Sequence, residues 1–261
     1  MPYKTSNLQN QKYTNYNKFM EAVLLIGGSG SRMSKIKKSL PKCLLEINGK
    51  PFLFWSIKYL LSNNVNKIIL SMNITDYHIK NFVQNLNQDN LNLILSEEKN
   101  NLGTGGAIKH AMPHINNRDF IIINGDVLFD ISIPDLYKKH EIESNDLTYA
   151  LLKLKNQHAN YGEINFNKKG MVTNYRYGNH ESKSKIIDSG LRIINQNKLN
   201  KYLNNNDNKS FSFENDLVPW FIKNKKVGSK IYNSDLYDIG NPESYKECKL
   251  KFKNLSSKLQ T

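Results

Sequence analysis

Glu21-Ala22-Val23-Leu24-Leu25-Ile26-Gly27-Gly28-Ser29-Gly30-Ser31-Arg32 sets a continuous apolar run directly against a glycine-rich turn. A short apolar run bounded by glycine reads as a strand buried on both faces. The same pattern returns at Phe120-Ile121-Ile122-Ile123-Asn124-Gly125-Asp126. Between the two, hydrophobic periodicity predicts a helix over 52–61, a strand over 67–72, a helix over 76–86, a strand over 91–95 and a helix over 104–112. An apolar stretch at 44–47 leads into a turn at Asn48-Gly49. Alternation of strand and helix at this spacing predicts an α/β domain with a mostly parallel sheet and helices on both faces.

Past residue 146 the pattern changes. Strands are predicted over 147–154, 162–166, 170–175 and 185–194, with turns between them. Helical patterns follow at 198–203 and 215–223, then a strand over 227–232, the segment Tyr237-Asp238-Ile239-Gly240 and a basic helix over 242–252. No hexapeptide repeat is present, so no appended β-helix is expected.

The bulk properties narrow the function classes. A chain of 261 residues suits one large α/β domain. Its expected organisation is a polar N-terminal tail over 1–19, a domain over 20–247 and a basic tail over 248–261. There is no apolar run long enough for a membrane span and no signal-type segment at the start, so a cytoplasmic protein with no membrane partner is expected. The two cysteines, Cys43 and Cys248, lie far apart and imply neither a disulfide framework nor a zinc site. Cys43 stands beside Lys42, which admits an activated thiol or a small buried residue. His110 and His114 are four apart but flank Pro113 and lack an acidic partner, so no metal site is read there. The net charge of +14 comes from lysines spread along the whole chain. No nucleic-acid-binding motif accompanies it, and no nucleic-acid partner is expected.

Four motifs carry chemistry. The glycines of 27–30 let the backbone approach an anion and turn several N–H groups towards it. The loop is not of the Walker type, since no Gly-Lys-Ser/Thr follows, and Met33 stands where a dinucleotide fingerprint needs its third glycine. Arg32 and Lys42, the latter in Pro41-Lys42, add two cations suited to a triphosphate. Asp126 stands at the C-terminal end of an apolar strand, where open α/β sheets bind ligands. With Asp238 it offers two carboxylates of the kind that suits Mg²⁺. Leu102-Gly103-Thr104-Gly105-Gly106-Ala107 opens a helix with small residues that leave room for a flat ring against the backbone. Taken singly, each has a plainer reading: a turn, an exposed lysine, a capping aspartate, a loop–helix junction.

The ordered set is more specific. Gly27 to Arg32, Pro41-Lys42, Leu102 to Ala107, Gly125-Asp126, Tyr161-Gly162-Glu163, Asp188-Ser189-Gly190 and Asp238-Ile239-Gly240 resemble the sugar-phosphate nucleotidyltransferases, over about residues 20–247. The resemblance implies a Rossmann-like core with an inserted sugar-binding sheet. It implies that Gly27, Gly28, Ser29, Gly30, Ser31 and Arg32 hold the nucleotide phosphates with Lys42 beside them. Glu98, Gly103 and Thr104 would lie on the base side. Gly162, Glu163, Ser189 and Gly190 would meet the sugar, and Asp126 and Asp238 would hold Mg²⁺. Arg32, Lys42 and Asp126 would be catalytic.

Two departures stand out. Asp188-Ser189-Gly190 replaces the family's usual Asn-Ala-Gly. No Glu-Lys-Pro lies over 175–185, where relatives place a lysine on the sugar phosphate; Lys183, Lys185 and Arg176 are the substitutes at hand. The reaction implied is in-line attack of a sugar 1-phosphate oxygen on the α-phosphorus of a nucleoside triphosphate, with release of pyrophosphate. The form Leu-Gly-Thr-Gly-Gly-Ala most resembles guanylyltransferases acting on mannose or heptose 1-phosphate for bacterial surface polysaccharides, which implies GTP and a sugar 1-phosphate as partners. A uridylyl- or cytidylyltransferase, or a non-catalytic nucleotide-sugar-binding protein, fits the same motifs. A homo-oligomer is admitted without a fixed size.

Overall fold

The computed structural model describes residues 19–28, 40–86, 91–154, 161–177, 184–206 and 208–260. In chain order, β1 (Met20–Leu25), the short strands β2 (Glu46–Ile47) and β3 (Lys50–Pro51), α1 (Phe52–Ser62), β4 (Val65–Asn73), α2 (Tyr77–Gln84), β5 (Asn92–Glu98), α3 (Gly103–Ala111) and β6 (Asp119–Asn124) make the first half. Then come β7 (Val127–Phe129), α4 (Ile133–Ile142), β8 (Leu147–Lys153), β9 (Glu163–Phe166), β10 (Val172–Arg176) and β11 (Ile186–Asn195). The chain closes with α5 (Gln196–Leu203), a single π-turn at Phe213–Leu217, α6 (Val218–Asn224), β12 (Val227–Tyr232), β13 (Leu236–Asp238), α7 (Pro242–Lys251) and α8 (Lys253–Gln260).

Nine strands form one sheet in the order β10-β9-β11-β6-β1-β4-β5, with β8 added on β11 and β12 on β8. The pairs of β1 with β4 and β6, and of β4 with β5, are parallel. From β6 outward, β11 pairs antiparallel with β6, β8 and β9. The sheet is thus parallel in its first half and largely antiparallel in its second, as the change of pattern near residue 146 implies. Successive residues of β1 point to opposite faces, and each face is covered. Ala22 and Leu24 belong to a core closed by Phe52, Trp55, Ile79 and Tyr245, whereas Val23 belongs to one closed by Ile108, Leu199 and Phe221. The mostly parallel α/β sheet with helices on both faces is therefore the fold of the first half.

Strand β1 runs to β4 and β5 on one side, and the chain then returns to place β6 on the other. The crevice at such a reversal of strand order, outside the carboxyl ends of the strands, is where open α/β sheets bind ligands. Here it lies between the end of β1 at Leu25 and the end of β6 at Asn124, which are paired in register.

Three features differ from the sequence expectation. The expected tail over 248–261 is not a tail over 248–260. Phe252 is fully buried and stacks edge-on against Trp55 at 5.5 Å between ring centres. Leu255 and Leu259 join the same core. Lysines spaced along both helices conceal an apolar stripe of period about 3.6, which is the reason a charge count misreads the segment. Helix α4 is capped by the Ser132 hydroxyl, which accepts from the Asp135 N–H at 3.3 Å, and has a proline in its first turn. Its Ser-Ile-Pro opening interrupts the periodicity by which a helix is recognised. Finally, β7 and β13 are three-residue strands pairing Val127 with Asp238, too short to show a period. Among the described residues no helix is long and apolar enough to cross a membrane.

Candidate active site

The crevice is built from strand ends. Asp126 follows β6 in the turn Gly125-Asp126, and the Gly125 N–H donates to the Leu25 carbonyl at 2.9 Å, tying this turn to the end of β1. The Ile239 N–H donates to the Asp126 carbonyl at 2.9 Å. With the β7–β13 pairing, this brings Asp238 beside Asp126 although the two are far apart in sequence. Their carboxylates converge on Gly240: a side chain begun there would start 2.9 Å from Asp238 Oδ1 and 3.7 Å from Asp126 Oδ2. The Tyr161 hydroxyl donates to Asp238 Oδ2 at 2.7 Å and the Gly240 N–H to Oδ1 at 2.6 Å. Burial first, and then the neighbouring Asp126 charge, push the Asp238 carboxyl above its usual range. Burial and a carboxylate neighbour both raise the cost of ionising Asp238, and a cation bound between the two would lower it.

Lys42 enters on a short 3₁₀ turn over Lys42–Leu44, and its ammonium forms an ion pair with Asp126 Oδ2. Gly28, at the end of β1, passes close by; a side chain begun there would start 3.8 Å from Lys42 Nζ. Gly28 thus stands at the crevice next to Lys42, while Gly27 packs against the Ser71–Met72 backbone of β4. Ser29, Gly30, Ser31 and Arg32 lie outside the described residues, as does Lys183. Cys43 is 1% exposed, and its thiol is pushed up to about 12, by burial above all and against the pull of Lys42. Burial outweighs the adjacent cation, so of the two readings of Cys43 the small buried residue holds.

The second half of the site is a bulge. Strand β11 pairs Asp188 with Leu151 and Arg192 with Tyr149, so four residues of β11 advance against two of β8. Bulges of this kind re-aim side chains and occur beside active sites. Gly190 sits in it at φ +85°, and a side chain there would start 3.0 Å from Asn124 Nδ2. The positive φ favours glycine, and the close Asn124 side chain adds to the cost of any Cβ there. Ser189 is braced inward: its hydroxyl donates to the Ala150 carbonyl at 2.8 Å and accepts from the Leu191 N–H at 3.1 Å. The Gly162 carbonyl accepts from the Asp188 N–H at 3.0 Å. A cavity of about 100 Å³ is lined by Asp126, Gly162, Ser189, Gly190, Arg192 and Asp238 together with their neighbours. Gly162, Ser189, Gly190, Asp126 and Asp238, drawn from four separate motifs, therefore share one pocket. Glu163 opens β9, pairing with Ile187 and Arg176, and is outside the cavity lining.

The Leu102 to Ala107 segment is placed differently. The Gly105 and Gly106 N–H groups donate to the Phe211 carbonyl at 3.0 and 3.3 Å, and the Phe211 N–H donates to the Leu102 carbonyl at 3.0 Å. A side chain on Gly105 would start 2.2 Å from the Phe211 ring. The small residues do leave room for a flat ring, and at Gly105 that ring is phenylalanine 211. Thr104 is likewise engaged by the fold: its hydroxyl donates to Glu214 Oε2 at 2.6 Å and accepts from the Phe213 N–H at 2.8 Å. Gly103, at φ +67°, starts the helix with its N–H on Asn101 Oδ1 at 3.0 Å. Glu98 is buried at the end of β5 and accepts from the Ser71 hydroxyl at 2.7 Å. Glu98, Gly103 and Thr104 all lie outside the cavity lining.

Several residues of the site were given no role by the sequence reading. Tyr175 and Arg192, which line the cavity, and Glu214, which pairs with Arg192, belong to no motif, and Tyr161 and Asp188 stand in motifs without a part assigned to their side chains. Arg192 alone left a signal: a charged residue inside the apolar run of 186–194, four residues after an aspartate, demands a buried partner.

The chain as a whole has counterparts among known proteins. A family model described as nucleotidyl transferase matches residues 21–254. D-glycero-alpha-D-manno-heptose 1-phosphate guanylyltransferase of Aneurinibacillus thermoaerophilus is 30% identical over 229 residues, 88% of this chain and 96% of that one. The enzyme of the same name from Campylobacter jejuni is 30% identical over 226 residues, 87% of this chain and 97% of that one. Among solved structures, HddC from Yersinia pseudotuberculosis complexed with GMP-PN is 31% identical with a TM-score of 0.76, covering 90% of this chain and 100% of that one.

Proposed function

The chain belongs to the nucleotidyl transferase family, and from that premise we propose that it is a sugar 1-phosphate guanylyltransferase, joining GTP to D-glycero-α-D-manno-heptose 1-phosphate or mannose 1-phosphate with release of pyrophosphate. The observation that carries the reading is the meeting of Lys42, Asp126 and Asp238 at the carboxyl ends of β1 and β6, against the pocket of Gly162 and Gly190. The base and sugar are suggested by the two relatives of 30% identity that span nearly the whole chain.

The donor set fits Mg²⁺. Two convergent carboxylates, one of them made costly to ionise by burial and then by its neighbour, match an ion that takes one or two protein carboxylates and fills its octahedron with water and substrate oxygens. Asp126 and Asp238 would hold it, and once bound it would supply charge compensation at the transferring phosphoryl group. The chain's own residues do the rest. Gly27 and Gly28 let the nucleotide phosphates approach the end of β1. Lys42 lies within reach of the same oxygens and stabilises the charge that builds as the α-phosphorus is attacked. Arg32 is assigned to the leaving pyrophosphate. The pocket that Gly162 and Gly190 line would take the sugar ring and carry the 1-phosphate oxygen in line with the α-phosphorus. No side chain acts as nucleophile. The product would feed surface polysaccharide assembly from the cytoplasm.

The test is a matrix. GTP, CTP, UTP, ATP and dTTP are each combined with heptose, mannose and glucose 1-phosphates and Mg²⁺, and nucleotide sugar is quantified by chromatography. Product from GTP with heptose or mannose 1-phosphate is expected. Product from another base alone would replace the guanylyl assignment, and binding of finished nucleotide sugar without turnover would end the enzymatic reading.

A further inference from the structure

Strand β11 is buried along nearly its whole length, and Arg192, in its middle, is 1% exposed. Its Nη2 donates to Asp188 Oδ2 and lies 3.5 Å from Glu214 Oε1. The guanidinium is packed 4.8 Å from the Phe213 ring centre and 5.5 Å from that of Tyr149. Nε and Nη1 are buried and have no hydrogen-bond partner among the described residues. Arg192 also lines the cavity shared by Asp126, Gly162, Gly190 and Asp238. Buried donors without acceptors are rare and destabilising, and an arginine offers them in a fixed planar fork. The group is therefore positioned, charged and incompletely satisfied, beside a pocket that needs a ligand.

The local charge decides what kind of ligand. One cation faces two carboxylates, Asp188 and Glu214, with Asp126 and Asp238 across the same cavity. That surplus of negative charge disfavours a phosphate dianion on Arg192. A neutral hydroxyl fits, because it accepts from a guanidinium N–H and donates its own hydrogen to a carboxylate oxygen. The Tyr175 hydroxyl already donates to Asp188 Oδ2 at 3.1 Å, holding that carboxylate from the other side. On the far side, Glu214 is held by Thr104, so the fork is braced at both ends.

We propose that Arg192, aligned by Asp188, is a specificity-determining residue that donates to a ring hydroxyl of the sugar 1-phosphate. The proposal rests on the function assigned above. Discrimination by such a contact is large, because an analogue lacking the hydroxyl leaves the buried donor unpaired.

Full-length enzyme and Arg192→Lys, which keeps the charge and loses the fork, are compared on the accepted sugar 1-phosphate and on its monodeoxy analogues. Folding is checked by circular dichroism and Tm. If Arg192→Lys does not fold, the neutral pair Asp188→Asn with Arg192→Met takes its place with the same readouts. The expected result is a KM for the sugar 1-phosphate raised about 10- to 100-fold with the KM for the nucleotide unchanged within about twofold. One deoxy analogue, rejected about 10- to 100-fold by the unmodified enzyme, should lose most of that penalty in the variant. Equal rises in both KM values, or an unchanged rejection profile, would overturn the inference and leave the guanylyltransferase reading standing. Absence of turnover by the unmodified enzyme on every pair would sink both.

Discussion

Strand β6 begins at Asp119 and is followed, two residues past its end, by Asp126, and the two aspartates are opposites. Asp119, at the start, is 1% exposed and fully partnered: Arg118 Nε donates to Oδ2 at 2.8 Å, Asn195 Nδ2 donates to Oδ1 at 2.6 Å and His140 Nε2 lies 3.5 Å from Oδ1. Burial raises its carboxyl, but those partners outweigh burial and bring it down to about 2. Past the other end of the same strand, Asp126 shares its surroundings with Asp238, whose carboxyl is raised by burial and by Asp126 itself. One end stabilises its charge with fixed protein groups. The other sets two carboxylates side by side, with Lys42 paired to Asp126 and burial raising Asp238, which is where binding and catalysis are expected.

The largest effect should fall on turnover at the second end. Asp126→Asn is expected to lower kcat/KM by about 100- to 1000-fold with Tm nearly unchanged, as for other losses of transition-state charge stabilisation. Initial-rate kinetics beside a thermal melt checks both halves of the statement, and near-normal turnover would remove Asp126 from the mechanism.

Next comes stability at the first end. Asp119→Ala leaves the buried His140 and Asn195 side chains without their acceptor, while the exposed Arg118 returns to water, and should cost about 1–3 kcal/mol of unfolding free energy, read by urea denaturation. The pH dependence has a definite sign. A carboxyl whose folded pKa is depressed contributes stability above its unfolded value of 3.8, and that contribution disappears as pH falls through about 2. Asp119→Asn should flatten the acid limb of the stability curve in that window, and an unaltered limb would contradict the partner assignment.

A smaller effect of the opposite sign is expected at Asp238. Its raised pKa means that the ionised carboxylate opposes folding once pH rises through its unfolded range. Asp238→Asn should therefore raise the Tm of the metal-free protein near neutral pH, by about 2–4 °C per kcal/mol gained, while turnover falls. A lowered Tm would mean that Tyr161 and Gly240 stabilise the carboxylate more than Asp126 disturbs it. The smallest effect concerns Cys43. Held at about 12 by burial, the thiol should stay unmodified by a thiol reagent in native protein at neutral pH and react only after denaturation. Rapid native labelling would show Lys42 prevailing over burial.

The same contrast explains what the sequence made legible. Asp126 could be found because a continuous apolar strand followed by Gly-Asp marks a strand end, and strand ends are where the crevice forms. The glycines of 103–106 were legible as a place where something flat approaches the backbone. That one such ring is Phe211 depends on a contact across more than a hundred residues, which local pattern does not encode. Thr104 is drawn into the fold for the same reason, through Glu214. Asp119 flanks the same apolar run at its other end, and nothing in the sequence shows how its charge is held. Only the partners brought by β11 and α4 make one structural and the other exposed to the crevice. Helix α8 was hidden by its lysines, and the β7–β13 pair by its length.

The central claim is that these two aspartates divide structure from chemistry. It is tested most directly by pyrophosphate release from GTP, heptose 1-phosphate and Mg²⁺, comparing the unmodified chain with Asp126→Asn and Asp119→Asn at a temperature where all three are folded. The account predicts a rate at least about 100-fold lower for Asp126→Asn and a rate for Asp119→Asn close to that of the unmodified chain. Comparable rates in all three, or equal losses in both variants, would contradict it.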